Sequence, residues 1–496
     1  MSFPEAFTAE MNKLFAAYPQ AGDSRAFWSS FHQPSPAGLR ANRLKLSKEA
    51  LKDCLSRTLA DCRSFDDVPW SSDGLYLPPD IQPGLLSHYA AGLYYIQEPS
   101  AMLPAAVLNA RPGEKVLDLC AAPGGKSARI ASDLQGLGLL WSNDISDKRT
   151  RPLLRNLEMT GCVNSVVTCA TPQALAENLP GYFDAVLVDA PCSGSGMFRR
   201  DPSAMASWMR YGPQASVPVQ RDLLCAAWQM LRPGGRLVYS TCSFSVCENE
   251  ANAAWLLKTF DDARLAPFTY AEGVSQGLPL TPQTHLAARI WPHLVRGDGH
   301  FCALFEKHSS PQSVLKPEKG TTRQKSLLPA EQWQKDVFSA FINEQLSLAG
   351  QKKIEHWLRT GWLRQEKENL HWLPHAYLPL DRIKKIKTGL LLGQAKKSNH
   401  GQTRFEPSQA LLLALGSDDF KYRYMAAAQD KQIAAYLRGE TMQWSDKAAP
   451  GDYPPGSAYT AVMLQTEHGC YALGWAKQMA PPLLKNLYPK GWRRTS

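Results

Sequence analysis

Two cysteines with polar neighbours are the side chains of this sequence best suited to covalent chemistry. Cys242 follows the apolar run 236–240 within Ser-Thr-Cys-Ser 240–243, and Cys192 lies in Asp-Ala-Pro-Cys-Ser-Gly 189–194. Reactive groups of α/β enzymes lie at such strand ends, just before a loop. The alternative is that each thiol is a small buried hydrophobic group, because free cysteines are among the most buried residues.

A turn rich in small residues follows the first predicted strand, 115–120. It reads Cys-Ala-Ala-Pro-Gly-Gly-Lys at 120–126, and its glycines allow a ligand to approach the backbone closely. It lacks the Gly-x-Gly-x-x-Gly and Walker patterns, which disfavours a dinucleotide or an NTP. Asp144 ends the next predicted strand, 137–143, where an acidic residue can bind a ribose diol or cap a turn or helix. This layout predicts an S-adenosylmethionine site.

Two thiols, a carboxylate and a methyl donor together fit methylation of carbon 5 of a pyrimidine. That carbon becomes nucleophilic only after a thiolate adds to carbon 6. An acid must then hydrogen-bond the cytosine ring and amino group, a role that fits Asp189. The carbon 5 proton must finally leave so that the thiol can be eliminated, and Cys192 is placed to assist.

Alternating strands and helices from Lys115 onward predict a parallel sheet of the α/β class, with a Rossmann-like fold. A parallel sheet would bring the strand ends that carry Asp189, Cys242 and the 120–126 turn to one edge. The further predicted strands are 165–169, 183–189 and 236–240, and the predicted helices start at 127 or span 148–159 and 219–231.

The positive charge is concentrated in the last part of the chain. The chain has 496 residues and a net charge of +10; residues 308–496 hold 27 Lys and Arg and 16 Asp and Glu, a net of +11, which leaves −1 for residues 1–307. This split favours catalysis by residues 1–307 and a polyanion-binding surface on residues 308–496. The alternative is that the basic surface of residues 308–496 only faces water. Residues 39–47 alternate like an exposed strand whose Arg40, Arg43 and Lys45 could meet phosphates or water.

Several classes are disfavoured by what the sequence lacks. It has no run of 18 apolar residues and no signal-peptide pattern at its start, which favours a cytoplasmic protein without a membrane partner. Its eleven cysteines form no Cys-x-x-Cys pair, so neither a disulfide framework nor a metal site is expected. We expect a monomer.

The segments 120–126, 189–194 and 240–243, with Glu-Asn-Glu at 248–250, resemble the signature motifs of the Nop/Sun family of RNA (cytosine-5-)methyltransferases. The resemblance covers roughly residues 30–307. It implies Cys242 as nucleophile, Cys192 in product release and Asp189 in hydrogen bonding to cytosine. It implies that the cofactor is held by Cys120, Ala121, Ala122, Pro123, Gly124, Gly125, Lys126, Asp144 and Asp189. Thr171 occupies the position where many relatives carry an acidic cofactor contact, a departure from the family pattern, and its hydroxyl could still hydrogen-bond the cofactor.

The C-terminal end resembles the PUA-like β-barrel of bacterial family members that act on the small ribosomal subunit. That resemblance implies a cytosine in the decoding region of 16S ribosomal RNA, and ribosomal RNA or the small subunit as partner. Basic residues alternate there with aromatic ones, including Tyr471, Trp475 and Tyr488, which could stack on bases. The expected domains are an N-terminal α+β RNA-binding region 1–95, a catalytic domain 96–307, a linker 308–326, a small mixed domain 327–390 and a PUA-like domain 391–496.

Two other functions remain open from the sequence. One is the same chemistry on transfer RNA, and the other is a ribosome assembly factor that binds RNA without catalysis. The intact pair of Cys192 and Cys242 disfavours the second. DNA cytosine methylation is disfavoured because the Pro-Cys thiol would then be the nucleophile, and no Glu-Asn-Val motif is present.

Overall fold

A ten-stranded mixed sheet carries the edge on which the candidate residues meet. The computed structural model describes residues 3–59, 65–308, 328–380, 382–443, 458–479 and 482–494, so the predicted linker lies almost wholly outside the described residues. The strand order is β10-β11-β12-β8-β7-β4-β5-β6-β16, with β9 paired to β12. The five strands β8, β7, β4, β5 and β6 are parallel, and β12 and β16 flank them antiparallel. The elements of this part are α5 Leu103–Leu108, β4 Lys115–Asp118, α6 Gly125–Leu134, β5 Leu139–Asn143, α7 Asp147–Thr160, β6 Ser165–Cys169, α8 Pro172–Asn178, β7 Phe183–Asp189, α9 Pro202–Met230, β8 Leu231–Thr241, α10 Glu250–Thr259, β9 Ala263–Leu265, β10 Ser275–Gln276, β11 Ala288–Ile290, β12 His300–Lys307 and β16 Lys384–Thr388.

The central strands form where the sequence predicts them because their apolar runs are covered on both faces. In β7 the residues from Ala185 to Val188 are fully buried, as expected for a parallel strand between two helical layers. Helix α9 is longer than the predicted 219–231, because two helices meet at Gly212 with φ 61° and continue as one element. The five parallel strands and the helices that cover them agree with the predicted Rossmann-like fold.

A three-stranded antiparallel sheet and four helices precede the catalytic sheet. The sheet order is β2-β1-β3. The elements are α1 Glu5–Ala17, α2 Ser24–Ser30, β1 Gly38–Ala41, α3 Lys48–Thr58, β2 Gly74–Tyr76, α4 Ser87–Ala90 and β3 Tyr94–Ile96. This region is the predicted α+β part.

Two of the three basic residues of the predicted exposed strand, Arg40 and Lys45, are covered by other elements, so the prediction is wrong for them, whereas Arg43 is exposed. Arg40 is 3% exposed and donates to Gln97 Oε1 and to the carbonyl of Gly125. Lys45 donates to the carbonyls of Ala91 and Met159, at 2.6 and 3.0 Å, and burial lowers its pKa to about 7. These cations therefore hold the N-terminal sheet against α6 and α7.

Two five-stranded sheets form the C-terminal part. Their orders are β13-β14-β15-β17-β18 and β19-β21-β22-β23-β20. Strand β17 pairs with β15, and β18 pairs with β17, so the expected division after residue 390 falls at the first residue of a strand of the first sheet. The elements are β13 Leu328–Pro329, α11 Gln332–Gln345, α12 Leu348–Thr360, β14 Gly361–Glu366, β15 Asn369–Pro374, β17 Leu390–Lys397, β18 Thr403–Pro407, α13 Gln409–Ala414, β19 Arg423–Ala427, α14 Lys431–Arg438, β20 Met442–Gln443, β21 Tyr459–Thr466, β22 Gly469–Gln478 and β23 Leu483–Asn486.

Strand β16 joins the C-terminal part to the catalytic sheet. It pairs antiparallel with β6, with Lys384 opposite Cys169 and Thr388 opposite Val166. The buried Lys387 ammonium donates to Ser165 Oγ at 2.9 Å. The edge of the ten-stranded sheet is therefore completed by a strand that lies more than two hundred residues further along the chain than β6.

The C-terminal aromatic residues do not have the predicted exposure. Tyr471, Trp475 and Tyr488 are buried in the cores between the sheets and helices, so they cannot stack on bases. Their size serves packing instead. None of the helices in the described ranges is long and apolar enough to cross a membrane.

Candidate active site

The two predicted thiols meet at the carboxyl end of the sheet. Cys242 follows β8 and Cys192 follows β7, and their sulfur atoms lie 3.3 Å apart. The Cys242 thiol and burial together raise the pKa of Cys192 well above its usual 9.0. Cys192 therefore stays a thiol, which can donate a hydrogen bond to the sulfur of Cys242.

Gly196 shapes the loop behind the Cys192 thiol. Its N–H donates to the carbonyl of Cys242 at 2.8 Å. A Cβ at Gly196 would lie 2.7 Å from that carbonyl oxygen, which is closer than real Cβ contacts. A glycine is therefore required for the two loops to approach each other.

Asp189 lies beside the thiols and is held by three neighbours. Lys126 Nζ lies 2.6 Å from Oδ2, Ser240 Oγ donates to Oδ1 at 2.7 Å, and His300 Nε2 lies 3.5 Å from Oδ1. Burial opposes ionisation, but the charge of Lys126 and the contact with His300 lower the pKa of Asp189 well below its usual range. Asp189 is therefore a carboxylate that accepts hydrogen bonds, and it is not the proton donor that a carboxylic acid would be.

A cleft of about 420 Å³ opens in front of these residues. Its walls come from the 120–126 turn, the strand ends and the segment 95–101 of the N-terminal part. Cys242 faces this cleft, whereas Cys192 does not line it. The predicted residues that line it are Cys120, Ala121, Ala122, Pro123, Gly125, Lys126, Asp189 and Cys242.

Three predicted cofactor residues lie outside the lining of the cleft. Asp144 accepts hydrogen bonds from the N–H groups of Ala122, at 3.3 Å, and Ser146, at 2.9 Å, so it holds the turn as a cap does. Gly124 has φ 111° and permits the turn to enter α6. Thr171 caps α8 by accepting the N–H of Ala174 at 3.3 Å. Their contact with the cofactor stays a prediction.

Glu248 joins the two thiol-bearing loops from behind. Its fully buried carboxyl group accepts the N–H and hydroxyl of Ser193, the hydroxyl of Ser243 and the amide of Gln220. Ser193 follows Cys192, and Ser243 follows Cys242. One side chain thus connects the two loops that carry the cysteines.

Asp118 and His300 are among the cleft residues that the sequence did not predict as part of the site. Asp118 ends β4 inside an apolar run, and His300 begins β12, far from any motif. Burial, with a smaller contribution from the Asp189 charge, raises the pKa of Asp118 to about 7, although Ser127 Oγ donates to its Oδ2 at 2.6 Å. The signal that could have identified Asp118 is a charge within a fully buried parallel strand.

The cleft fits a cationic cofactor. Asp118 Oδ1 is buried without a hydrogen-bond partner among the described residues, and Asp118 lines the cleft. A buried acceptor of this kind is costly unless a ligand pairs with it. An ammonium or sulfonium group of S-adenosylmethionine would meet this need.

Comparison with known families covers most of the chain. Four family descriptions match: 16S rRNA methyltransferase RsmB/F at residues 105–306, the N-terminal domain of 16S rRNA methyltransferase RsmF at 3–99, the RsmF rRNA methyltransferase first C-terminal domain at 341–415, and the methyltransferase RsmF PUA domain at 426–494. These matches confirm the predicted fold class, the PUA-like module and the S-adenosylmethionine cofactor.

Individual relatives agree with these matches. Ribosomal RNA small subunit methyltransferase F of Salmonella paratyphi B is 34% identical over 329 residues, which are 64% of this chain and 65% of that protein. The chain therefore spans less than two thirds of the length of the curated relatives that it matches. A methyltransferase homologue from Pyrococcus horikoshii is 32% identical with a TM-score of 0.51, over 60% of this chain and 95% of that one. NSun6 from the same organism, crystallised with SFG, shares the fold at 20% identity and a TM-score of 0.51, over 62% of this chain and 99% of that one.

Proposed function

Because the chain belongs to the 16S rRNA methyltransferase RsmB/F family, we propose that it methylates carbon 5 of one cytosine in 16S ribosomal RNA, in the decoding region. The observation that carries this proposal is the 3.3 Å approach of the Cys192 and Cys242 sulfurs beside the cofactor cleft. Addition and elimination at a pyrimidine ring need a nucleophile and a way to release it. S-adenosylmethionine, when bound, supplies an electrophilic methyl group.

Cys242 is the nucleophile of this mechanism because it alone of the two thiols faces the cleft. Its thiolate forms a bond to carbon 6 of the cytosine, and the electrons of the carbon 5–carbon 6 double bond make carbon 5 nucleophilic. The neighbouring Cys192 sulfur lies 3.3 Å from the Cys242 sulfur, close enough for the Cys192 thiol to donate a hydrogen bond to it.

Asp189 and Lys126 orient the cytosine ring during this addition. The Asp189 carboxylate accepts a hydrogen bond from the exocyclic amino group. The Lys126 ammonium, 2.6 Å from that carboxylate, offsets the negative charge that the ring gains. The pair therefore recognises a cytosine by its amino group.

Release reverses the addition. After carbon 5 has received the methyl group, its proton passes to water, the carbon 5–carbon 6 double bond re-forms, and the bond to Cys242 breaks. The Cys192 thiol donates a hydrogen bond to the departing thiolate and stabilises it.

Bisulfite sequencing tests this function. We would sequence ribosomal and transfer RNA from a deletion strain after bisulfite treatment. One cytosine of 16S RNA should lose its protection against bisulfite conversion. The wild-type chain should restore that protection, and Cys242→Ala should not. Cys225→Ala is a matched control, because Cys225 lies on α9 away from the cleft. Protection restored by Cys242→Ala would overturn the mechanism, and protection lost only in transfer RNA would overturn the substrate.

A further inference from the structure

A second cavity lies on the far side of the thiol pair. It has a volume of about 190 Å³, and Cys192 forms part of its floor together with Pro191 and Ser193. The opposite wall is formed by α9 on both sides of its kink, by Ser207 and Tyr211 before Gly212 and by Ala215 and Val219 after it. One thiol of the pair, Cys192, thus lines this smaller cavity, and the other, Cys242, lines the cofactor cleft.

The wall of the cavity combines an exposed aromatic ring with small residues. Tyr211 is 57% exposed, and the Arg210 guanidinium carbon lies 5.1 Å from its ring centroid. Ser207, Ala215 and Ser216 have short side chains, so they leave the hollow open beside that ring. Within the described parts of the chain, Arg210 has no carboxylate at ion-pair distance, so its charge is available to a ligand.

The kink in α9 places this ring at the cavity. Gly212 has φ 61° and ψ 176°, and the helix changes direction directly after Tyr211. A positive φ of this size is readily adopted by glycine and is strained in other residues. A Cβ at Gly212 would meet no atom within 4 Å. Glycine is therefore favoured at this position by the backbone conformation and not by lack of space for a side chain.

We propose that this cavity binds the unstacked base of the nucleotide next to the target cytosine, with Tyr211 as the stacking surface and Arg210 as the contact to its phosphate. The inference rests on the proposed function and specifies which part of the RNA the site recognises. A base has a planar face that stacks on an aromatic ring, and a phosphate follows it at a fixed interval.

The position of the cavity identifies the occupant as RNA. Cys192 lines this cavity and lies 3.3 Å from Cys242, which lines the reaction cleft, so the nucleotide next to the bound cytosine has a short path to the cavity. A volume of about 190 Å³ suits one base and is too small for a folded protein segment. The stacking of an unpaired neighbour also explains how a target base can be held out of its helix.

The test uses the full chain, [methyl-³H]S-adenosylmethionine and RNA oligonucleotides that contain the mapped cytosine. Tyr211→Ala should raise KM for RNA about 5- to 150-fold, the equivalent of one stacked base, while Tyr211→Phe stays within about twofold of wild type. Met209→Ala is the control: Met209 is equally exposed on the same helix but does not line the cavity, and it should leave KM unchanged.

Abasic substitution identifies the nucleotide that is bound. An abasic nucleotide on one side of the target cytosine should raise KM of the wild-type enzyme as much as Tyr211→Ala does with intact RNA. Combining the abasic RNA with Tyr211→Ala should raise KM little further. The proposed subsite would be wrong if abasic substitution at either neighbour and Tyr211→Ala lowered the reaction independently, so that their effects multiplied. It would also be wrong if Tyr211→Ala had the same KM for RNA as Met209→Ala. If the wild-type chain transfers no methyl group to any RNA, the proposed function fails instead, which separates the two hypotheses.

Discussion

The sulfur atoms of Cys192 and Cys242 lie 3.3 Å apart, although fifty residues separate them in the chain. Strands β7 and β8 are neighbours in register, with Asp189 opposite Ser240, so the loops that follow them leave the sheet side by side. The parallel sheet thus builds a two-thiol site from two distant segments.

Replacing Cys192 should trap the reaction after methyl transfer. In Cys192→Ala the Cys242 thiolate loses the neighbour that stabilises its departure, so turnover should fall about 100-fold or more and a protein–RNA adduct should accumulate. A denaturing gel with labelled RNA would show the adduct as a slower band. The double variant Cys192→Ala/Cys242→Ala is the control and should show no band; an adduct in that variant would rule out Cys242 as the attachment point.

Glu248 should control the geometry of the thiols without touching the cofactor. Glu248→Gln keeps the size and shape of the side chain but replaces one accepting oxygen with an NH₂ group. That group would face the N–H of Ser193 or the hydroxyl of Ser243, which are themselves donors. We therefore expect kcat to fall about 10-fold and the free energy of unfolding to fall by about 1.5–3 kcal/mol. The affinity for S-adenosylmethionine, measured by calorimetry, should stay within about twofold because Glu248 does not line the cleft.

The matched control for Glu248 is Glu306→Gln, since Glu306 is exposed at the end of β12. It should change neither kcat nor stability. An undisturbed kcat in Glu248→Gln would show that the loops hold their separation without this carboxyl group.

Asp118 should make both stability and cofactor binding depend on pH. Its pKa is raised from 3.8 to about 7 by burial, so the folded protein keeps a proton that the unfolded chain loses. The contribution of this group to stability is therefore full below about pH 4 and is lost as the pH rises through about 7. A cationic ligand favours the carboxylate, so affinity for S-adenosylmethionine should increase over the same range.

Asp118→Asn should remove both effects. Its melting temperature should vary less between pH 5 and pH 8 than that of the wild type, and its cofactor affinity should be about 10- to 150-fold weaker at pH 8. Asp222→Asn, at an exposed position of α9, should behave as wild type. A wild-type affinity for the cofactor in Asp118→Asn would exclude a direct contact.

Charge on the C-terminal sheets should contribute to RNA binding through phosphates. Lys397, Arg404, Lys485 and Lys490 are exposed cations of this part. Replacing all four by Gln should reduce the slope of log affinity against log salt by about 0.7–0.9 for each phosphate contact that is lost. An unchanged slope would locate the polyanion surface elsewhere. Deleting residues 308–496 is a poorer test, because it also removes β16 from the catalytic sheet.

The sequence predicts those features that depend on local pattern. The strand Phe183–Asp189 has the predicted bounds, because a short, mostly apolar run that ends before Pro and Gly is typical of a strand buried on both faces. The meeting of Cys192, Cys242 and the 120–126 turn follows from the parallel order of the strands.

Features that depend on distant partners escaped prediction. Arg40 and Lys45 occur in an alternating pattern that is typical of an exposed strand, yet backbone carbonyls of other elements bury them. Alternation does not reveal which acceptor a cation will meet. Tyr471 and Trp475 likewise show no local sign that sheets and helices would cover them. His300 reaches Asp189 only through antiparallel addition of β12 to the sheet.

The pairing of β6 with β16 has a consequence for how the chain is made. During synthesis the N-terminal methyltransferase strands emerge first, and the free side of β6 then offers unsatisfied N–H and C=O groups to any other strand. That side is closed only when residues 384–388 have left the ribosome exit tunnel. The nascent methyltransferase fold is therefore vulnerable to aggregation until most of the chain exists, and its maturation is coupled to the domains that follow it.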